Sequence, residues 1–115
     1  MRVLADTGIW SRHFRDGEPR LARLLGERQV VTHPWIVGEL ALGPGLRLDT
    51  LADLEVLPAL AVVPDPKVLD FVKLHGVRGI GWIDVQLLVA ALAARVEVWT
   101  TDLCLAETWR RFRVS

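Results

Sequence analysis

The sequence has few means of crosslinking, anchoring or charging itself. One cysteine, Cys104, excludes a disulfide within one chain and fits a reducing compartment, where a lone thiol is expected to be a small buried hydrophobe. No uncharged apolar run approaches the ~20 residues that a membrane-spanning helix needs. Met1-Arg2 leads straight into a short apolar run ending at Asp6, with no secretory leader. A soluble, cytoplasmic protein with no membrane contact is expected. Formal net charge is zero, which excludes a surface basic all over but not a local basic patch. Lysine is nearly missing, with only Lys67 and Lys73. There is no internal repeat, linker or low-complexity segment, and the charges are not gathered into blocks. With 51% of 115 residues apolar, the expectation is one ordered domain over 1–115.

What is present alternates between strand and helix patterns. Val3-Leu4-Ala5 reads as a strand buried on both faces. Asp6-Thr7 caps a helix that carries Ile9, Trp10, His13 and Phe14 and ends at Asp16-Gly17. Pro19 opens a helix with Leu21, Leu24 and Leu25, and Val30-Val31-Thr32 is a second strand. Pro34 opens a helix with Trp35, Ile36, Glu39 and Leu40, closed by Gly43-Pro44-Gly45. Helical spacing over 46–60, a strand at Ala61-Val62-Val63, and a helix capped by Asp65-Pro66 follow. Val85 to Ala94 is apolar on every side except at Gln86. Val96 to Thr100 is a last strand, and Asp102 starts a last helix. The alternation predicts an α/β fold with a parallel sheet and helices on both faces.

In such sheets ligands gather at the carboxyl ends of the strands. Asp6 follows the first strand, Asp102 follows the last, and Asp84 heads the apolar helix. Glu39 interrupts an otherwise apolar helical face. Taken singly, the aspartates read as N-caps and Glu39 as a solvated residue. Taken together, they form a set that converges on one sheet edge. Two carboxylates ~4 Å apart repel by about 4 kcal/mol at an effective dielectric of 20. Such a set must take up protons or bind a cation, and hard oxygen donors suit Mg²⁺ or Mn²⁺ rather than zinc.

DTGIW (Asp6 to Trp10), VGEL (Val37 to Leu40), WIDVQLLVAA (Trp82 to Ala91) and TTD (Thr100 to Asp102) resemble the PIN domain. In particular they resemble the VapC toxins of type II toxin–antitoxin pairs, over the whole length and with the four acids in order. The resemblance implies a three-layer α/β/α sandwich around a central parallel sheet of four to five strands. It implies a Mg²⁺- or Mn²⁺-dependent endoribonuclease in which Asp6, Glu39, Asp84 and Asp102 form the catalytic, metal-binding centre. Thr7 and Thr100 match auxiliary hydroxyl positions that orient water, although Thr7 equally suits helix capping. Attack by water predicts products with a 3′-hydroxyl and a 5′-phosphate. The pattern departs after Asp102, where Leu103-Cys104-Leu105 stands in place of a further acid and an aromatic. A second metal is therefore expected to be held less firmly.

An RNA substrate approaching an acidic site calls for flanking cations. Arg12 and Arg15 lie just after Asp6, and Arg110, Arg111 and Arg113 form the basic run WRRFR, interleaved with Trp109 and Phe112. The bland alternative is a solvated basic face whose aromatics dock the last helix. His13, His33 and His75 share no ligand spacing and read as structural. Trp10, Phe14, Leu21, Leu24, Leu25 and Trp35 exceed what so small a domain is expected to bury on itself. That predicts a homodimer, with Trp10 or Trp35 at an interface. The resemblance adds a VapB-like antitoxin partner, with DNA reached only through it. Two other readings compete. A catalytically silent PIN-like module would bind an antitoxin or RNA without cutting. A receiver-like phosphorylation domain is disfavoured, because no lysine follows a late strand.

Overall fold

The computed structural model describes residues 1–113. Three parallel strands form the sheet in the order β2-β1-β3: β1 (Val3–Ala5), β2 (Val30–Val31) and β3 (Glu97–Trp99). Between β1 and β2 lie α1 (Thr7–Asp16) and α2 (Pro19–Gly26). After β2 come α3 (Pro34–Ala41), α4 (Leu48–Val56), α5 (Asp65–His75) and α6 (Trp82–Ala94). Then α7 (Leu103–Arg113) follows β3. The fold is α/β with a parallel sheet.

Successive strand residues point to opposite faces. Val3, Leu4 and Ala5 are all buried, so both faces of the central strand are covered. The all-apolar stretch of α6, packed beside β3, is itself interior: Val85, Leu87, Leu88, Ala90 and Ala91 are buried, as a helix that is hydrophobic all round must be. Its one polar member, Gln86, is fully buried and donates from Nε2 to Asp65 Oδ1 at 2.8 Å. Asp65 therefore ties α5 to α6 instead of capping α5, whose N-cap is Pro64.

Several expectations are corrected. Among the described residues the sheet has three strands, not four to five. Ala61–Val63 forms no strand; the chain touches the sheet earlier, in a single bridge between Thr32 and Ala59. Thr32 N donates to Pro58 O and Leu60 N to Thr32 O, both at 2.8 Å. Pairing stops there because His33 already turns the chain into α3, and Pro58 offers no N–H of its own. The helix expected over 46–60 is shorter, since Pro58 disfavours helical backbone at Leu57, which is extended.

The apolar-excess argument for a dimer fails for half of its residues. Trp10, Leu21 and Leu24 belong to the chain's own core, and Trp10 is only 2% exposed, which removes it as an interface residue. Cys104, expected inside, is exposed on α7. Among the described residues no helix is long and apolar enough to cross a membrane.

Candidate active site

The carboxyl edge of the sheet is where the chain leaves β1 at Asp6 and β3 at Thr100. Asp6 N donates to Trp99 O at 2.9 Å, which sews these two exits together. Asp6 is the N-cap of α1. Its Oδ1 accepts from Thr7 N at 2.6 Å and, at a longer 3.3 Å, from the Thr7 hydroxyl. Its Oδ2 accepts from Thr100 Oγ1 at 2.7 Å. Thr100 Oγ1 in turn accepts from Asp102 N at 3.0 Å, and Asp102 Oδ1 accepts from Leu105 N at 3.0 Å in the first turn of α7. Close approach of α1 to this loop depends on Gly8, where a Cβ would come within 3.0 Å of Thr101 Oγ1.

Asp84 arrives from the opposite direction. Helix α6 precedes β3 and runs antiparallel to it, so its N-terminus lies at the same sheet edge. The N-cap of α6 is Gly81, with no side-chain hydrogen bond, and Asp84 sits within the first turn. Asp84 is therefore not the cap. Its carboxyl pKa is raised above the ordinary carboxylate value, first by burial and then by the charges of Asp6, Asp102 and Glu39. Asp6, Asp102 and Glu39 thus stand close enough to Asp84 to act on it electrostatically. Helix α3 carries Glu39, which is exposed, and His33 anchors its start by accepting from Trp35 N at 3.1 Å through Nδ1.

The donor chemistry fits a hard divalent cation: oxygen ligands only, with several negative charges converging. A ready cage is not present. Among the described residues no three His, Cys, Asp or Glu side chains are grouped to hold a metal ion as they stand. The hydrogen bonds account for part of this. A carboxylate has about four acceptor positions, and Asp6 uses three while Asp102 uses one. Asp84 and Glu39 accept no hydrogen bond among the described residues, and Asp102 Oδ2 also stays open.

The cations divide. Arg12 is paired with Glu18 at 2.8 Å, and Arg15 shares Nε with Asp16 at 2.8 Å. Arg15 lines a groove of about 430 Å³ that also includes Thr7 and Glu39. Arg110, Arg111 and Arg113 lie towards the far end of α7. They stand roughly 12–16 Å along the axis from Asp102, at 1.5 Å per residue. Arg111 donates to His75 O at 2.6 Å and packs over Phe112. His13 Nδ1 accepts from Glu18 N at 3.0 Å, and His75 packs against Phe71 at 4.5 Å. Both have structural partners.

Ser11 and Phe14 also line this groove; the sequence pattern marked Phe14 only as an apolar-face and dimer residue and gave Ser11 no role. The signal was there in the spacing: Thr7, Ser11 and Phe14-Arg15 follow one another at helical intervals on the helix that Asp6 caps.

No protein-family model matches the chain. Among curated proteins it is similar to Ribonuclease VapC32 of Mycobacterium tuberculosis, in strains CDC 1551 / Oshkosh and ATCC 25618 / H37Rv. In each, identity is 39% over 108 residues, covering 87% of this chain and 84% of the relative. Identity at that level, sustained over most of both chains, places the chain in the VapC ribonuclease family.

Proposed function

We propose that this chain is a metal-dependent endoribonuclease, the toxin of a type II toxin–antitoxin pair, built as a single PIN-like domain over residues 1–115. The observation that carries the reading is the placement of the acids at one sheet edge: Asp6 and Asp102 at the exits of β1 and β3, linked through the Thr100 hydroxyl, and half-buried Asp84 in the first turn of α6, where burial and then the charges of Asp6, Asp102 and Glu39 raise its carboxyl pKa. Membership of the VapC ribonuclease family supports the reaction class. Asp6, Glu39, Asp84 and Asp102 would hold Mg²⁺ or Mn²⁺. When bound, the cation supplies Lewis acidity, acidifying water and offsetting charge on the phosphate and leaving oxygens.

The side chains have distinct tasks. Asp6 is held in place by Thr7 and Thr100, so its orientation is set before substrate arrives. Both hydroxyls donate to Asp6, which makes them positioning groups. The resemblance to VapC toxins implies water as the attacking group, with a 5′-phosphate as the expected product end. Glu39 and Asp84, which accept no hydrogen bond among the described residues, have the carboxylate oxygens most open to a cation, and Glu39 is the exposed one of the two. Arg15 offsets the charge of an approaching phosphate.

A VapB-like antitoxin would restrain the enzyme, with DNA contacted only through that partner. A homodimer rests on the apolar side chains that do remain exposed, Leu42, Leu48 and Val56 around α4, and sedimentation tests it.

The test of function is cleavage of structured RNA by the purified protein with Mg²⁺ or Mn²⁺, stopped by EDTA, with 5′-phosphate ends. Full activity in EDTA overturns it. A second reading, a silent module that binds antitoxin or RNA, is favoured by the lack of three acids grouped to hold an ion. RNA binding without cleavage in either metal would establish that reading instead.

A further inference from the structure

We propose that the groove between α1 and the α3–α4 loop is a subsite for one single-stranded RNA nucleotide beside the cleaved bond. Phe14 would serve as the stacking platform and Arg15 as the phosphate contact; the proposal rests on the ribonuclease reading above. The groove, about 430 Å³, adjoins the acid site, because its lining includes Thr7, next to Asp6, and Glu39, together with Phe14 and Arg15. Along the α1 axis, Ser11 stands about 6 Å from Thr7 and Arg15 about 12 Å. The length suits a nucleotide whose neighbour occupies the acidic centre.

Phe14 is 40% exposed, and its ring packs against Trp10, with centroids 5.8 Å apart, and against His13 at 6.1 Å. An apolar ring that is fixed in orientation and open on one side is what base stacking needs, and it is indifferent to base identity. The facing wall is Gly43-Pro44-Gly45, which adds little side-chain bulk and leaves room for a flat group. Arg15 spends only Nε on Asp16. Its terminal nitrogens make no hydrogen bond among the described residues and are available to a phosphate.

Phe14 also borders a second hollow of about 230 Å³, which Asp53 lines. Each hollow has one carboxylate in its lining, Glu39 in the first and Asp53 in the second, but only the first has an arginine, so Arg15 assigns the nucleotide to its side.

The experiment measures binding of a fluorescein-labelled, mixed-sequence single-stranded 12-mer RNA by the full chain in EDTA. The proteins are the parent, Phe14→Ala, Phe14→Tyr and Arg15→Gln. Phe14→Ala should weaken affinity about fivefold or more, and Phe14→Tyr should keep it, since stacking survives. Arg15→Gln should flatten the dependence of log affinity on log salt by about 0.7. A duplex of the same sequence, its bases already stacked, should be insensitive to Phe14. Thermal melts should show every variant folded, with Phe14→Ala lowered by the contacts it loses to Trp10 and His13, and Mg²⁺-induced shifts should match the parent in all variants.

Unchanged affinity in Phe14→Ala overturns the proposal, as does no saturable binding by the parent or an equal loss on duplex RNA. Dissociation of a dimer in sedimentation with RNA affinity intact makes Phe14 a protein contact and also overturns it. Because binding is read without metal, absence of Mg²⁺-dependent cleavage sinks the nuclease reading and leaves this measurement standing. A Phe14-insensitive affinity sinks the subsite and leaves cleavage standing.

Discussion

Thr100 and Asp6 are 94 residues apart in the chain and joined by a 2.7 Å hydrogen bond from the Thr100 hydroxyl to Asp6 Oδ2. The same hydroxyl oxygen accepts from Asp102 N at 3.0 Å. One side chain therefore sets the separation of the two strand exits that carry the first and last acids. Thr100→Val removes both bonds at nearly constant volume, while Thr100→Ser keeps them. A hydrogen bond to a carboxylate contributes about 1.5–3 kcal/mol, and water can replace part of it at this half-buried site. Thr100→Val should therefore lose about 1–2 kcal/mol in urea unfolding and Thr100→Ser much less. Equal losses in the two variants would remove the hydroxyl from the account.

Asp84→Asn separates a charge cluster from an ordinary first-turn acid. The folded-state pKa of Asp84 is raised, so its charge opposes folding. That opposition is complete above the raised pKa and vanishes below the ordinary value of 3.8. In EDTA at pH 7 the asparagine variant should be as stable as the parent or about 1 kcal/mol more. Relief of repulsion outweighs the ~0.3–1 kcal/mol that a carboxylate gains from the helix N-terminus. The difference should shrink as pH falls toward 4. Mg²⁺ should raise the melting temperature of the parent and much less that of the variant, and RNA cleavage should drop at least about 100-fold. Equal Mg²⁺ shifts with near-parental cleavage would dismantle the acidic-centre argument.

His33 predicts an acid-labile α3. Burial lowers its pKa from 6.5, and its neutral Nδ1 accepts the Trp35 N–H. Above pH 6.5 both folded and unfolded states are neutral and the full stability is present. Below it the unfolded chain binds a proton that the folded chain refuses, so stability falls as pH drops toward the folded-state value. The slope approaches about 1.4 kcal/mol per pH unit. His33→Asn keeps a capping acceptor without the titration. Chemical denaturation from pH 7.5 to 5 should show the excess slope in the parent alone; parallel curves would count against it.

Arg111 should prove structural. It bridges α7 to the C-terminal end of α5 through His75 O. Arg111→Met is expected to lower the melting temperature by a few degrees and leave the salt dependence of RNA binding as it was. A flatter salt dependence with an unchanged melt would instead return the WRRFR run to the substrate path.

The sequence by itself determined the local decisions. Pro19 and Pro34 open helices because their missing N–H is not needed there. Gly17 closes α1 with φ 78°, and the all-apolar α6 had to be interior. The order of strands and helices was enough to bring Asp6, Asp84 and Asp102 to one edge, since helices returning between parallel strands start and end at fixed sheet edges. Tertiary structure decided what depends on contact between distant segments. An amphipathic spacing cannot say how deep a face is buried, so Trp10, Leu21 and Leu24 passed for interface candidates and Cys104 for a core residue. Strand propensity at Ala61–Val63 was real, but β2 had only Thr32 left to pair with. The length of α7 carried the basic run away from Asp102. The bonds of Asp6 to Thr7 and of Asp102 to Leu105 are local caps, but the bond from Thr100 to Asp6 Oδ2 is a tertiary fact, because it takes up a lone pair with a neighbour that the chain brings from 94 residues away.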